Sequence, residues 1–140
     1  MNFEGKVVLI TGAAQGFGRA IAARLVEAGA FVAVNDIDAE KAQAAAQDLG
    51  EFAIAYPCDV SNSAQVADMV EALLSARGRI DGLVNNAGID KPAHILDITE
   101  EDWDRVLAVN LKSVFLCSKA VLPAMIRQKS GAIVNISSVT

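Results

Sequence analysis

The 140-residue chain holds one histidine, two cysteines, one tryptophan and one tyrosine, and each scarcity closes off a class of chemistry. Cys58 and Cys117 lie far apart, without the short spacing of metal ligands or a disulfide framework, and are expected as buried free thiols. His94 has no second histidine or cysteine cluster with which to share a metal, so it is expected in a loop or a substrate-pocket wall, and no metal site is assigned. Positive charge is also short. Twelve Lys and Arg face seventeen Asp and Glu, the net charge is -5, and no basic block occurs. Nucleic acid therefore finds no electrostatic footprint, and any bound phosphate must be held mainly by backbone N–H groups. The apolar run after Glu4 is too short for a signal peptide and no later run approaches a membrane span, so the expected location is cytoplasmic, with no membrane partner.

What is present is apolar: 53% of the residues are hydrophobic, enough to fill the core of one domain spanning residues 1–140. Strand-like runs at 7–10, 31–35, 52–56, 82–85 and 132–136 alternate with helix-like runs, the pattern of βαβ units around a parallel sheet. The first helix is expected over 19–28 and the second over 39–49, with Asp38 as its cap. Asn62 or a neighbouring serine caps a third, whose Val66, Met69, Val70, Leu73 and Leu74 form one stripe. Thr99 caps a long helix with Trp103, Val106, Leu107, Val114 and Phe115 facing inward, and Pro123 should end or kink it.

The stretch Thr11-Gly12-Ala13-Ala14-Gln15-Gly16-Phe17-Gly18 joins the first strand to the first helix. Side-chain-free backbone there turns sharply and lets N–H groups close on a pyrophosphate, at which the helix points its positive end. Asp36, eighteen residues after Gly18 and at the end of the second strand, is placed to accept hydrogen bonds from an adenosine ribose, which points to NAD. A 2′-phosphate would meet that carboxylate as like charge, and neither Gln15 nor Ile37 supplies a compensating cation. Gly12, Asp36, Asp59, Asn86 and Ser138 all fall at strand carboxyl ends, where open α/β sheets bind ligands. Asn110 is a polar group on the apolar helical stripe; buried unpaired, its amide would cost about 1–3 kcal/mol, so it must have a partner.

These residues resemble the short-chain dehydrogenase/reductase family, with a likeness running from Met1 to Thr140. Its marks are Thr11-Gly12-x-x-x-Gly16-x-Gly18, Asn85-Asn86-Ala87-Gly88, Asn110 and Ile136-Ser137-Ser138, and the opening Met1-Asn2-Phe3-Glu4-Gly5-Lys6 is similar to bacterial 3-oxoacyl-acyl-carrier-protein reductases. The resemblance implies a Rossmann-type doubly wound α/β sheet in the order 3-2-1-4-5. It also implies hydride transfer between NAD(H) and a secondary alcohol or ketone. It implies adenine contacts from Asp59 and Val60 and an adenosine-ribose wall from the Asn86 to Gly88 backbone. The cofactor-binding set is then Gly12, Gln15, Gly16, Phe17, Gly18, Asp36, Ile37, Asp59, Val60, Asn86, Ala87 and Gly88. Ser138, with Ser137 as the neighbouring alternative, would hold the substrate oxygen, and Asn110 a water-linked proton path.

One part of the family pattern is absent. Family catalysis uses a tyrosine and lysine spaced Tyr-x-x-x-Lys beyond the serine, whereas the only tyrosine here is Tyr56 and the sequence stops at Thr140. The chain therefore reads as the N-terminal part of such an enzyme, truncated after the fifth strand and inactive alone; a non-catalytic dinucleotide-binding or partner-binding fragment is the alternative. An apolar fifth strand at the sheet edge, together with the long helix containing Leu111 to Met125, through which members of the resembled family commonly pair, leads to an expected homo-oligomer.

Overall fold

The structure, a computed structural model, describes residues 2–138. Five strands, β1 (Val7–Ile10), β2 (Phe31–Val34), β3 (Ala53–Ala55), β4 (Gly82–Asn85) and β5 (Ala132–Asn135), pair in parallel in the order β3-β2-β1-β4-β5. This is the parallel sheet that the alternation of runs predicts, in the doubly wound order that the family resemblance implies. Every residue of β1 and β2 is buried, because helices cover both faces of the sheet centre. Alternate strand residues supply opposite faces. Val8, Ile10, Val32 and Val34 pack with α1 (Gly16–Glu27) and α2 (Ala39–Leu49), while Val7, Leu9, Phe31 and Ala33 pack with α3 (Ser63–Arg77) and the long C-terminal helix. Each large aliphatic fully buried in these layers contributes about 1.5–3 kcal/mol.

The expected caps form. Asp38 accepts from Lys41 N–H, Asn62 from Ala64 and Gln65 N–H, and Thr99 from Asp102 N–H. The expected α3 stripe is buried at Val66, Met69, Val70 and Leu73, with Leu74 packed beside it. Helix α1 begins at Gly16, three residues before the sequence pattern predicts, because the end of the glycine turn is already its first turn. Cys58 and Cys117 are free and buried, and burial pushes their thiols up to about 11 and about 12.

The long helix departs most from expectation. It runs as α4 (Glu100–Leu107), a π turn (Ala108–Lys112) and α5 (Ser113–Gln128). Trp103, Leu107 and Phe115 are exposed rather than inward-facing, and Val106 and Val114 are half-buried. The line that meets the core is Val109, Ser113, Cys117, Val121, Ala124 and Met125. A π turn closes i to i+5 and resets the helical phase, so a stripe carried across it at 3.6 residues per turn misplaces Phe115. Trp103 and Leu107 precede the turn, on α4, which buries no residue, and Asn110 within the turn is also exposed. Pro123 does not end the helix, which continues to Gln128; it lies on the exposed side, where water can serve the carbonyl that its missing N–H leaves open.

By length and composition alone, the 29 residues Glu100–Gln128, with a window of mean hydropathy 1.5, suffice to cross a membrane, contrary to the sequence expectation. Lys112 and Lys119 break the apolar run and hide its average. In the fold, one face of this helix covers the sheet and the other leaves Leu111, Phe115, Leu122 and Ile126 exposed.

Candidate functional site

The strand carboxyl ends meet at the glycine turn, and its neighbours lock it in place. Thr11 is buried at the end of β1, and its Oγ1 accepts from the N–H groups of Asn86 and Ala87 at 3.0 Å each. Asn86 answers with its own amide, donating from Nδ2 to the carbonyls of Thr11 and Gly12 at 3.0 Å each. Gly12 (φ +62°) has Ala87 Cα 2.8 Å from where a Cβ would stand, and a Cβ on Gly18 would strike the Gly12 carbonyl and lie 2.5 Å from Asn86 Nδ2. Glycine is required at both positions for close approach of backbone to backbone. Gly16 differs: its φ of +57° needs glycine, yet the space in front of it is open. Gln15, the N-cap of α1, makes no side-chain cap bond, and the first turn carries no acidic residue. A helix start without its own cap, facing the open space in front of Gly16, fits an anion such as a pyrophosphate.

Around this turn runs a cleft of about 360 Å³. Asp36, following β2, lies on its wall; one carboxylate oxygen accepts from Ala14 N–H at 3.3 Å and the other from Asp38 N–H at 3.2 Å. With about four acceptor positions, the carboxylate retains capacity for hydroxyl donors. Asn35, buried beneath it, donates to the carbonyls of Tyr56 (2.9 Å) and Cys58 (3.2 Å) and so fixes the chain leaving β3. That chain delivers Asp59, whose carboxylate accepts from Ser61 and from Arg105 of α4. Burial opposes ionisation of Asp59, but Ser61 and Arg105 outweigh it and hold the carboxyl below its usual range. Asn110, on the π turn, has the partner its amide needs: Oδ1 accepts from Ile89 N–H (2.8 Å) and Nδ2 donates to Ile89 carbonyl (2.9 Å), pinning the segment after Gly88.

The cleft brings together Gly12, Gln15, Gly16, Asp36, Ile37, Asp59, Val60, Asn86, Ala87 and Gly88. Gly18 stands behind the turn as a packing residue. Phe17 is 82% exposed and lines a different, larger apolar groove of about 840 Å³, shared with Phe3, Ile21, Leu25, Val134 and Ile136. Ser137 and Ser138 follow β5 on the same carboxyl side and are exposed. His94 sits in the loop after β4, also exposed. Sequence reasoning noted Thr11 only as the start of the glycine stretch, without its locking role, and missed Asn35 and Arg105. A polar residue ending each of two buried strands was a usable signal for Thr11 and Asn35, whereas Arg105 reads as an ordinary solvated charge.

Residues 6–140 match the family described as short chain dehydrogenase. The chain is 44% identical over 141 residues to the (2S)-[(R)-hydroxy(phenyl)methyl]succinyl-CoA dehydrogenase subunit BbsD of Thauera aromatica, covering 99% of this chain and 57% of that protein. It is also 44% identical over 142 residues to the 3-oxoacyl-[acyl-carrier-protein] reductase FabG of Thermotoga maritima, covering 99% and 58% respectively. It thus spans little more than half the length of these relatives. A solved metagenomic short-chain oxidoreductase in complex with NADP superposes with a TM-score of 0.93 at 39% identity, covering 99% of this chain and 64% of that one. With strand order, glycine turn and nearly every residue of the chain aligned to the N-terminal part of these proteins, the chain belongs to the short-chain dehydrogenase/reductase family.

Proposed function

We propose that residues 1–140 form the dinucleotide-binding domain of an NAD-dependent oxidoreductase that interconverts a secondary alcohol and a ketone in the cytoplasm. The observation that carries this reading is the convergence of the glycine turn, the uncapped start of α1, Asp36, Asp59 and the Asn86 to Gly88 backbone on one cleft. The turn around Gly12, Gln15 and Gly16 would hold the pyrophosphate, Asp36 and Ile37 the adenosine ribose, and Asp59 and Val60 the adenine. NAD is favoured over NADP because Asp36 meets a 2′-phosphate as like charge, and the cation on the cleft wall, Arg105, is paired with Asp59. The solved neighbour's complex with NADP belongs to that protein.

When bound, the dinucleotide supplies a nicotinamide ring that exchanges hydride with the alcohol carbon. Ser138 would hold the substrate oxygen by hydrogen bonding. Asn110 would keep the Ile89 backbone and a water-linked proton path in register. A phenol with a lysine four residues on, the family's proton donor and its tuner, has no counterpart in this sequence, in which Tyr56 follows β3. Acid–base assistance contributes about 10²–10⁴-fold, so the chain alone is expected to bind NAD and turn over ketones at background. Calorimetric titration with NAD, and NADH absorbance followed with a panel of ketones, test both halves. Absence of NAD binding overturns the site, and clear turnover by the 140-residue chain shows that another group within it moves the proton.

Assembly follows from the outer face of the π turn and α5. Leu111, Phe115, Leu122 and Ile126 are exposed around an apolar groove of about 610 Å³, a surface suited to a second copy of the chain.

A further inference from the structure

Asp59 is held from three directions, and one of them comes from a distant element. Its N–H donates to Gln65 Oε1 at 2.8 Å, which sets the main chain. Carboxylate Oδ1 accepts from both the N–H (2.9 Å) and the hydroxyl (2.6 Å) of Ser61. Oδ2 accepts from Arg105 Nη1 at 3.2 Å, and the same nitrogen donates to Ser61 Oγ at 3.0 Å. Arg105 and Asp59 both line the cleft, with side chains 46% and 24% exposed. A pair this open to water adds little to stability, so its consequence is orientation.

Orientation has a chemical meaning here because the two oxygens are unequally used. Oδ1 carries two donors and Oδ2 one, which leaves Oδ2 an acceptor position of fixed direction. An exocyclic amino group, as at the 6-position of adenine, can donate to it; a carbonyl at that position, as in hypoxanthine, meets it acceptor to acceptor. We propose that Arg105 is a positioning residue for the purine end of the cleft, holding Asp59 Oδ2 so that it selects a 6-amino over a 6-oxo purine. This rests on the dinucleotide reading above and extends it by giving purine selectivity to a residue of α4, the helix that leads into the π turn bearing Asn110. Adenine recognition is thereby tied to the same helix that pins Ile89 on the other side of the cleft.

The test titrates NAD and nicotinamide hypoxanthine dinucleotide, which differ only at the purine, into the 140-residue chain by calorimetry. Wild type should prefer NAD by about tenfold or more, the scale of one hydrogen bond to a charged group. Arg105→Met should bring the preference to within about threefold, chiefly by weakening NAD, with an unchanged melting temperature; Arg105→Gln serves as an independent neutral variant. Arg105→Lys, which keeps a donor cation, should recover much of the preference. In an Asp59→Ala background, Arg105→Met should cause no further loss, since the arginine acts through that carboxylate. If Arg105→Met keeps the full preference, or weakens both dinucleotides equally, the inference is overturned while the dinucleotide reading stands. A wild-type chain that binds both without preference also overturns it, and one that binds neither overturns the dinucleotide reading as well.

Discussion

Thr11 and Asn86 hold each other reciprocally: the threonine hydroxyl accepts from the asparagine N–H at 3.0 Å, and the asparagine amide donates to the threonine carbonyl at 3.0 Å. The lock joins the end of β1 to the end of β4 at the floor of the cleft. Thr11→Val keeps shape but removes the acceptor for the N–H groups of Asn86 and Ala87, at an expected cost of about 1–3 kcal/mol. Urea unfolding reads that loss directly. Affinity for NAD should fall with it, because the glycine turn loses its brace; unchanged stability in Thr11→Val would show the hydroxyl to be incidental.

Asp36 should decide between the two nicotinamide dinucleotides. Wild type is expected to bind NAD more tightly than NADP. Asp36→Ala should weaken NAD by about 10–100-fold, the range for hydrogen bonds to a charged group, while leaving NADP unchanged or improved. Parallel titrations of both cofactors check this, and an unaltered ratio would remove the ribose role from Asp36.

A second carboxylate governs stability at low pH. Asp81, whose side chain is 8% exposed, accepts from Val7 N–H, from two nitrogens of Arg79 and from Lys6 at the opposite end of the sheet from the cleft. Burial works against its ionisation, but these donors prevail and hold its pKa below the ordinary carboxylate value. A folded-state pKa below the unfolded one adds stability that is present above about pH 4 and lost as pH falls through the folded value. Asp81→Asn should therefore cost about 1–3 kcal/mol at pH 7 and progressively less in acid. Urea midpoints from pH 7 down to pH 3 should show wild type and variant converging; parallel curves would contradict this account.

Self-association should run through the outer face of α5. Phe115→Glu places a charge among Leu111, Leu122 and Ile126 and is expected to convert a dimer to a monomer with little change in monomer stability, since Phe115 is 59% exposed. Sedimentation velocity distinguishes the species. A wild-type chain that stays monomeric across the accessible concentration range would exclude this surface as an interface.

Strand positions, caps and the glycine turn were legible because each rests on a short-range rule, whereas the strand order and the cleft roles of Asp59, Val60 and Asn86 to Gly88 came with the family resemblance. Buried parallel strands such as 7–10 are continuous apolar runs, Asp38, Asn62 and Thr99 are common cap types, and glycine spacing marks the turn. The face of the long helix was not legible: α4 buries no residue although Trp103 and Leu107 stand at helical spacing, and the π turn at Ala108–Lys112, which has no residue signature, shifts the phase beyond it. Phe17 was assigned to the cleft by its place between two turn glycines, yet its side chain lies in the groove lined by Ile21 and Leu25. Arg105 stayed hidden for a different reason: its partner Asp59 is 46 residues away, a distance at which charge patterning along one helix carries no information. Asn110 was rightly expected to be paired, and its partner is the Ile89 backbone at the exposed rim.

The position of β1 at the sheet centre has a consequence for how the chain is made. Val8 pairs with Val32 on one side and Gly82 on the other. At about 5–20 residues per second of ribosomal synthesis, Gly82, 74 positions after Val8, follows it by about 4–15 s. The layer beneath α1 and α2 draws on residues up to Ala53 plus Val84, and is nearly complete early. The opposite layer waits for Leu83, Cys117, Val121 and Met125. One side of the nascent sheet is thus closed while the other still shows Val7, Leu9 and Phe31 to solvent or a chaperone, and ribosome pausing between β3 and β4 prolongs the interval in which the half-built protein is vulnerable to aggregation.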